Sequence, residues 1–328
     1  MYPEIPFWAS AILIASGLWL LTWSANQFVG GAEAVSRAMG VSPFIVGMVV
    51  IGFGTSAPEL AVSALSGMTG HSNLSLGNAY GSNIFNIAAI LGIAAIIHPI
   101  VVRPVVIFAA VPMLTIASFA SCMFVCLGDG FSRMDGVLCL VLFAILLPVY
   151  CYIDRKGGAE NGDSCSNADL PHPFFSLVIG LAMLVASSHI LVWGAVDLAR
   201  ALGVSELLIG LTIIAAGTSI PELASAIVSA RQGQHEFVLG NIIGSNFFNT
   251  LAVVGLSGTI APFKDISPYI FYRDLPMMTM LTLSIAIFGV NLKRPRADGY
   301  ITRKCGMFYC AAFVAYLALL ISQEIPNN

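Results

Sequence analysis

The chain has 328 residues, of which 58% are apolar and only 9% charged, against roughly 45–50% and about 25% in soluble domains. Mean hydropathy is +0.89, and 14 Lys and Arg against 17 Asp and Glu leave a net charge of −3, too weak and scattered for the basic stripe that nucleic-acid binding requires. A soluble enzyme, a nucleic-acid binder and a disordered chain are all excluded, and the composition is that of an integral membrane protein.

Charge-free windows place the spans, because a membrane helix needs about 20 apolar residues and must satisfy its own backbone polar groups. The first run starts at Phe7, after a head with Glu4 and no Lys or Arg, and reads as a retained span rather than a cleaved signal. Spans are expected at 7–29, 43–68, 75–97, 105–127 and 136–153, then at 174–201, 207–230, 237–260, 270–290 and 305–321. Between the two sets, 154–172 is rich in Gly, Asn, Asp and Ser and reads as a linker. The expected fold is all-α and membrane-embedded, ten transmembrane helices divided into 1–153, the linker 154–172, and 173–328. Lys and Arg favour the cytoplasmic side of short loops. With the N-terminus outside, ten of them (Arg37, Arg103, Arg155, Lys156, Arg231, Lys293, Arg294, Arg296, Arg303, Lys304) fall inside, and only Arg133, Arg200, Lys264 and Arg273 fall outside. Both termini are therefore expected on the outer side and the linker on the inner. The seven cysteines form no CxxC pair, which argues against zinc or disulfide frameworks.

The strongest signal is internal repetition. Residues 47–92 align with 210–255 at a constant offset of 163, without a gap and with identities at nearly half the positions. Five crossings per copy is an odd number, so the second copy enters the membrane the opposite way round. Inverted repeats of this kind carry ion sites near the bilayer midplane, where the copies meet.

Two polar strings recur inside the apolar runs: GTSAPEL at 54–60 and GNAYGSNIFN at 77–86, then GTSIPEL at 217–223 and GNIIGSNFFN at 240–249. Glu59 and Glu222 lie well inside spans, where an acid costs about 2.5–3.5 kcal/mol on insertion scales; neither expected helix supplies a Lys or Arg to pair with it. Pro58 and Pro221 have no N–H to offer Gly54 and Gly217, and a carbonyl freed at membrane depth is tolerated only beside protein, water or an ion. Many helices kink at proline for packing alone, but Thr55, Ser56 and Glu59 at one kink and Thr218, Ser219 and Glu222 at its copy point to an ion site. Asn78, Ser82 and Asn86 are spaced i, i+4, i+8 and share a helix face, as do Asn241, Ser245 and Asn249. The donor set is all oxygen, which suits Ca²⁺, Na⁺ or K⁺ rather than zinc, copper or iron. One Ca²⁺ neutralises two carboxylates, and so do monovalent ions or protons; both loads together overfill the pocket, so they exclude each other.

These strings resemble the paired alpha repeats of the cation/calcium exchanger superfamily, and the chain is similar to its bacterial sodium/calcium exchanger branch. The resemblance covers the ten-span layout, the linker and both motif pairs. It implies a secondary active antiporter in the bacterial cytoplasmic membrane, exchanging Ca²⁺ for Na⁺ by alternating access. Ca²⁺/H⁺ exchange, potassium-dependent Na⁺/Ca²⁺ exchange and, outside the class, a passive cation channel are the alternatives. Enzymatic chemistry is not expected, because Ser56 or Ser219 beside a glutamate without a paired His makes a poor nucleophile.

The resemblance further implies that Glu59 and Glu222 coordinate Ca²⁺, that oxygens around Thr55, Ser56, Thr218 and Ser219 serve both ions, that Ser82 and Ser245 line the pathway, and that the first and sixth helices slide across the core. No cofactor is expected beyond the transported ions, the partners are inorganic cations and the lipid bilayer, and the functional unit is expected to be a monomer. Some members have an acid at one of the positions matching Asn86 and Asn249; both are asparagine here, which leaves stoichiometry and counter-ion open. Glu33 and Asp197 read as solvated acids at helix ends, and His189 as a core histidine.

Overall fold

The computed structural model describes residues 6–68, 72–126, 130–156, 172–203 and 215–324. Its helices are α1 (Phe7–Met39), α2 (Pro43–Thr55), α3 (Ala57–Met68), α4 (Asn73–Ile97), α5 (Val106–Cys126), α6 (Arg133–Lys156), α7 (Pro173–Ala201), α8 (Ala215–Gly217), α9 (Ile220–Arg231), α10 (His235–Ile260), α11 (Ile270–Gly289) and α12 (Arg303–Glu324). Among the described residues, eight helices are long and apolar enough to cross a bilayer, nine if the bent pair α2–α3 forms one span. Most of 154–172, and the start of the seventh expected span at 207–214, lie outside the described residues.

Local chemistry sets the helix limits. Gly40 ends α1 at φ 60°, returning its N–H to the Arg37 and Ser36 carbonyls in the left-handed cap that glycine adopts without strain. Ser42 opens α2 by accepting the Ile45 N–H, with Pro43 in the first turn. The chain bends by 46° between α2 and α3, where Ser56 leaves helical geometry at φ −82°, ψ 3°. Its repeat mate Ser219 does the same at φ −95°, ψ 10°. Turns of π-helix lie at Asn86–Leu91 and Phe248–Val253, and again at Val106–Ala110 and Ile270–Asp274, so this wide turn recurs at nearly matching places in the two halves.

At the centre, α10 is 94% buried in its most apolar stretch and α4 72%, whereas α6 and α12 are 17% buried. The outer pair therefore turns apolar side chains such as Val141, Ile145, Phe308 and Val314 away from the protein, as a lipid-facing helix must. Beside this core, α1 and α7 lie against each other. Gly17 faces Leu191 and Gly180 faces Phe28, while Gly31 faces Leu177 and Gly194 faces Ile14. Each contact is its partner shifted by 163 at both ends. Ser24 and Ser187, themselves mates, meet at 3.4 Å, close to where a two-fold axis between the halves would run. A β-carbon on Gly31 or Gly180 would stand 2.5 Å from a backbone nitrogen of the opposing helix, so only glycine allows this approach.

Several features depart from expectation. α1 continues ten residues past Val29, because Glu33 and Arg37 pair across one helical turn instead of ending the helix. α6 runs to Lys156, beyond the expected boundary at 153. Two three-residue strands, β1 (Ile100–Val102) and β2 (Gly299–Ile301), pair antiparallel with Ile100 opposite Ile301, so the fold is predominantly but not wholly helical. Glu33 and Asp197 are buried, not solvated: Glu33 also accepts from the Gln234 side chain at 2.5 Å, and Asp197 accepts from Ser10 at 2.5 Å.

Candidate functional site

The two glutamates sit in the first turns of α3 and α9, just past the bends. The helix N-terminus favours a carboxylate there. Glu59 is 0% exposed and Glu222 1%. Each is held by the serine of the other repeat: Ser219 Oγ donates to Glu59 Oε1 at 2.9 Å, and Ser56 Oγ to Glu222 Oε1 at 3.4 Å. Ser219 Oγ also lies 3.4 Å from Ser82 Oγ. Among the described ion pairs none involves either glutamate.

The asparagine faces close the ring. Asn78 Nδ2 donates to the Glu59 carbonyl at 3.2 Å and to Ser63 Oγ at 2.9 Å; Asn241 Nδ2 donates to the Glu222 carbonyl at 3.2 Å and to Ser225 Oγ at 2.9 Å. These bonds lock α3 to α4 and α9 to α10. Thr55 Oγ1 lies 3.4 Å from Asn241 Oδ1, and Ser245 Oγ donates to the Gly52 carbonyl at 3.3 Å. Asn86 Nδ2 donates to Asn246 Oδ1 at 3.0 Å, whereas both amide atoms of Asn249 are buried without a partner. Gly54 and Gly217 take a packing place: a β-carbon on them would meet Leu181 and Val192 of α7 at 2.8 and 2.9 Å.

Six buried oxygens of the recurring strings have no hydrogen-bond partner: Glu59 Oε2, Glu222 Oε2, Thr218 Oγ1, Asn83 Oδ1, Asn86 Oδ1 and Asn249 Oδ1. A buried acceptor left unmet costs about 1–3 kcal/mol, more when charged, a cost that a bound cation would remove. Among the described residues no three His, Cys, Asp or Glu side chains cluster as metal ligands; charge here comes from two carboxylates and the rest of the donor set is neutral. Sequence reasoning missed Asn83, Asn246 and Thr250. Asn83 Nδ2 donates to Thr250 Oγ1 at 2.7 Å, and Asn246 Nδ2 to the Asn83 carbonyl at 3.3 Å, clasping α4 to α10. The available signal was that Asn83 and Asn246 recur in both GSN triplets.

Ser219 is the hinge of this arrangement, touching Glu59 and Ser82 while sitting at the α9 bend. Ser219→Ala is expected to weaken cation binding at this point about tenfold, the equivalent of one charge-assisted hydrogen bond or oxygen ligand. Titration of the purified protein with CaCl₂ and, separately, NaCl checks this.

The fold and its centre define a polytopic helical membrane protein whose buried polar core is assembled from two copies of one motif pair. The chain belongs to the sodium/calcium exchanger protein family, which matches residues 9–151 and 172–322. It is 35% identical over 322 residues to the inner membrane protein YrbG of Escherichia coli, covering 95% of this chain and 96% of that one. It is 29% identical over 345 residues to the sodium/calcium exchanger MaX1 of Methanosarcina acetivorans, covering 92% and 97%. Among solved structures it matches the sodium-calcium exchanger NCX_Mj, soaked with Na⁺ and Sr²⁺, with a TM-score of 0.79, 30% identity and coverage of 94% and 97%.

Proposed function

We propose that this protein is a secondary active antiporter that exchanges Ca²⁺ for Na⁺ by alternating access. Family membership and the likeness to proteins named sodium/calcium exchangers support the class. The observation that carries the reading is the pair of buried carboxylates, one from each repeat, each bonded to the other repeat's serine and each with its second oxygen unpartnered. Such a pocket must be neutralised to be stable, so it holds one Ca²⁺ or a monovalent load and passes between them.

The proposal assigns ligand roles to Glu59 and Glu222, supported by Thr55, Ser56, Thr218 and Ser219, with Asn78, Ser82, Asn86 and their mates Asn241, Ser245 and Asn249 lining the path. Gly54 and Gly217 make room for α7 over the bends. Ten spans in two inverted repeats, 1–153 and 173–328, follow from the apolar windows and the 163-residue repeat, and the loop charges put both termini outside and the linker in the cytoplasm. The reciprocal α1–α7 glycine contacts support that architecture. α1 and α7, packed on each other beside the core, are the pair that slides. A monomer contains both motif pairs and suffices as the functional unit, placed in the bacterial cytoplasmic membrane.

The test is ⁴⁵Ca²⁺ uptake into proteoliposomes loaded with Na⁺, K⁺ or neither, with a pH step as the fourth condition. The expected result is uptake driven by outward Na⁺ alone. Uptake driven by the pH step without Na⁺ overturns the sodium assignment, and uptake down the Ca²⁺ gradient with no counter-ion overturns antiport itself.

A further inference from the structure

Away from the polar centre, two histidines meet at the far end of α4 and the start of α10. His98 follows the last residue of α4, and His235 is the first of α10. Their ring centroids are 4.9 Å apart with the planes tilted by 41°. Neither residue has a part in the exchange reading above.

Hydrogen bonding fixes what the rings offer. His98 Nδ1 lies 3.0 Å from the Pro99 carbonyl; a carbonyl only accepts, so Nδ1 carries the proton and Nε2 keeps a free lone pair. That is the arrangement found in metal-ligating histidines, whose second nitrogen is anchored on a backbone carbonyl. His235 Nδ1 is buried and has no hydrogen-bond partner, an unmet cost that a bound cation removes. The spacing agrees: with metal–nitrogen bonds of about 2.0–2.1 Å, each ring centroid lies about 3.2 Å from the metal, and ligand angles of about 90–109° put the centroids about 4.5–5.2 Å apart.

We propose that His98 and His235 form a two-imidazole site for a divalent transition metal such as Zn²⁺ or Ni²⁺, a site separate from the carboxylate centre. Imidazole nitrogen selects these borderline ions over Ca²⁺ and Na⁺, which take oxygen. No third His, Cys, Asp or Glu joins the pair among the described residues, so water completes the coordination. His98 is exposed and His235 partly so, which leaves an entry path. A bound ion would tie together the ends of the two helices that carry the asparagine faces.

The test is calorimetric titration of the full-length purified protein, with any polyhistidine tag removed, using ZnCl₂ and, separately, CaCl₂. One Zn²⁺ is expected to bind in the micromolar range. His98→Ala and His235→Ala should each weaken it at least about tenfold, whereas His172→Ala, His189→Ala and Glu59→Gln should leave it unchanged. Absence of Zn²⁺ binding, or affinity indifferent to either of the first two substitutions, overturns the site. Loss of Zn²⁺ binding in Glu59→Gln also overturns it, because the metal would then sit in the carboxylate pocket. Since Zn²⁺ binding is read directly, the outcome is independent of whether Na⁺ drives Ca²⁺ transport.

Discussion

Glu59→Gln and Glu222→Gln should each abolish Na⁺-driven Ca²⁺ uptake while leaving a folded protein. Glutamine keeps the shape and the oxygen that accepts from Ser219 or Ser56, but removes one of the two charges that the proposed site offers an ion. At an effective dielectric of about 20, two unit charges 4 Å apart interact by about 4 kcal/mol, and a divalent ion doubles that. Even a third of the sum, about 2.7 kcal/mol, is a hundredfold in affinity. Stability separates this from misfolding. A buried carboxylate with an unpartnered oxygen destabilises the ion-free protein, so in chelator both variants should melt at or above the wild-type temperature. Added Ca²⁺ should raise the wild-type midpoint through ligand linkage and leave the variants unmoved. Retained uptake in either variant, or an undiminished Ca²⁺-induced shift, would refute the assignment of these two side chains.

That the two acids would stand without a basic partner was legible in the sequence, because neither apolar run holds a Lys or Arg. Their mutual arrangement was not. An alignment at offset 163 equates Ser56 with Ser219 and Glu59 with Glu222, yet cannot say that each serine serves the opposite repeat's acid, since that exchange exists only once the halves are packed. Helix positions were readable where apolar runs end abruptly, as at Ile97, Ala201 and Ile260. They were misjudged at Val29, where Glu33 and Arg37 look like a helix end but neutralise each other across a turn. The β1–β2 ribbon was invisible because three residues are too few for an alternation to register. Asn83 and Asn246 were passed over for a related reason: they fall off the i, i+4, i+8 face, and their bonds cross between α4 and α10.

Gly244→Val is expected to be the most damaging substitution outside the carboxylates. α2 and α10 approach backbone to backbone: a β-carbon at Gly244 would stand 2.4 Å from the Met48 carbonyl oxygen and 2.7 Å from its α-carbon, and one at Gly240 2.5 Å from the Phe44 carbonyl oxygen. Neither obstacle is a flexible side-chain tip, so the helices themselves must part. Overpacking of a close-fitted interior costs about 1–3 kcal/mol, with more when backbone has to move. The functional loss should exceed the stability loss, because this contact sets the distances from Thr55 to Asn241 and from Ser245 to Gly52, already 3.4 and 3.3 Å. Lengthening them by about an ångström breaks both bonds and moves the α2 carbonyl end away from the α10 asparagine face. The expected outcome is a lowered thermal midpoint in detergent together with loss of Ca²⁺ uptake, and Gly244→Ala should show the same two effects in weaker form. A valine variant with wild-type melting and wild-type Ca²⁺ dependence would mean that α2 and α10 do not pack this closely. The proposed cation pocket would then lose the wall on which its geometry depends.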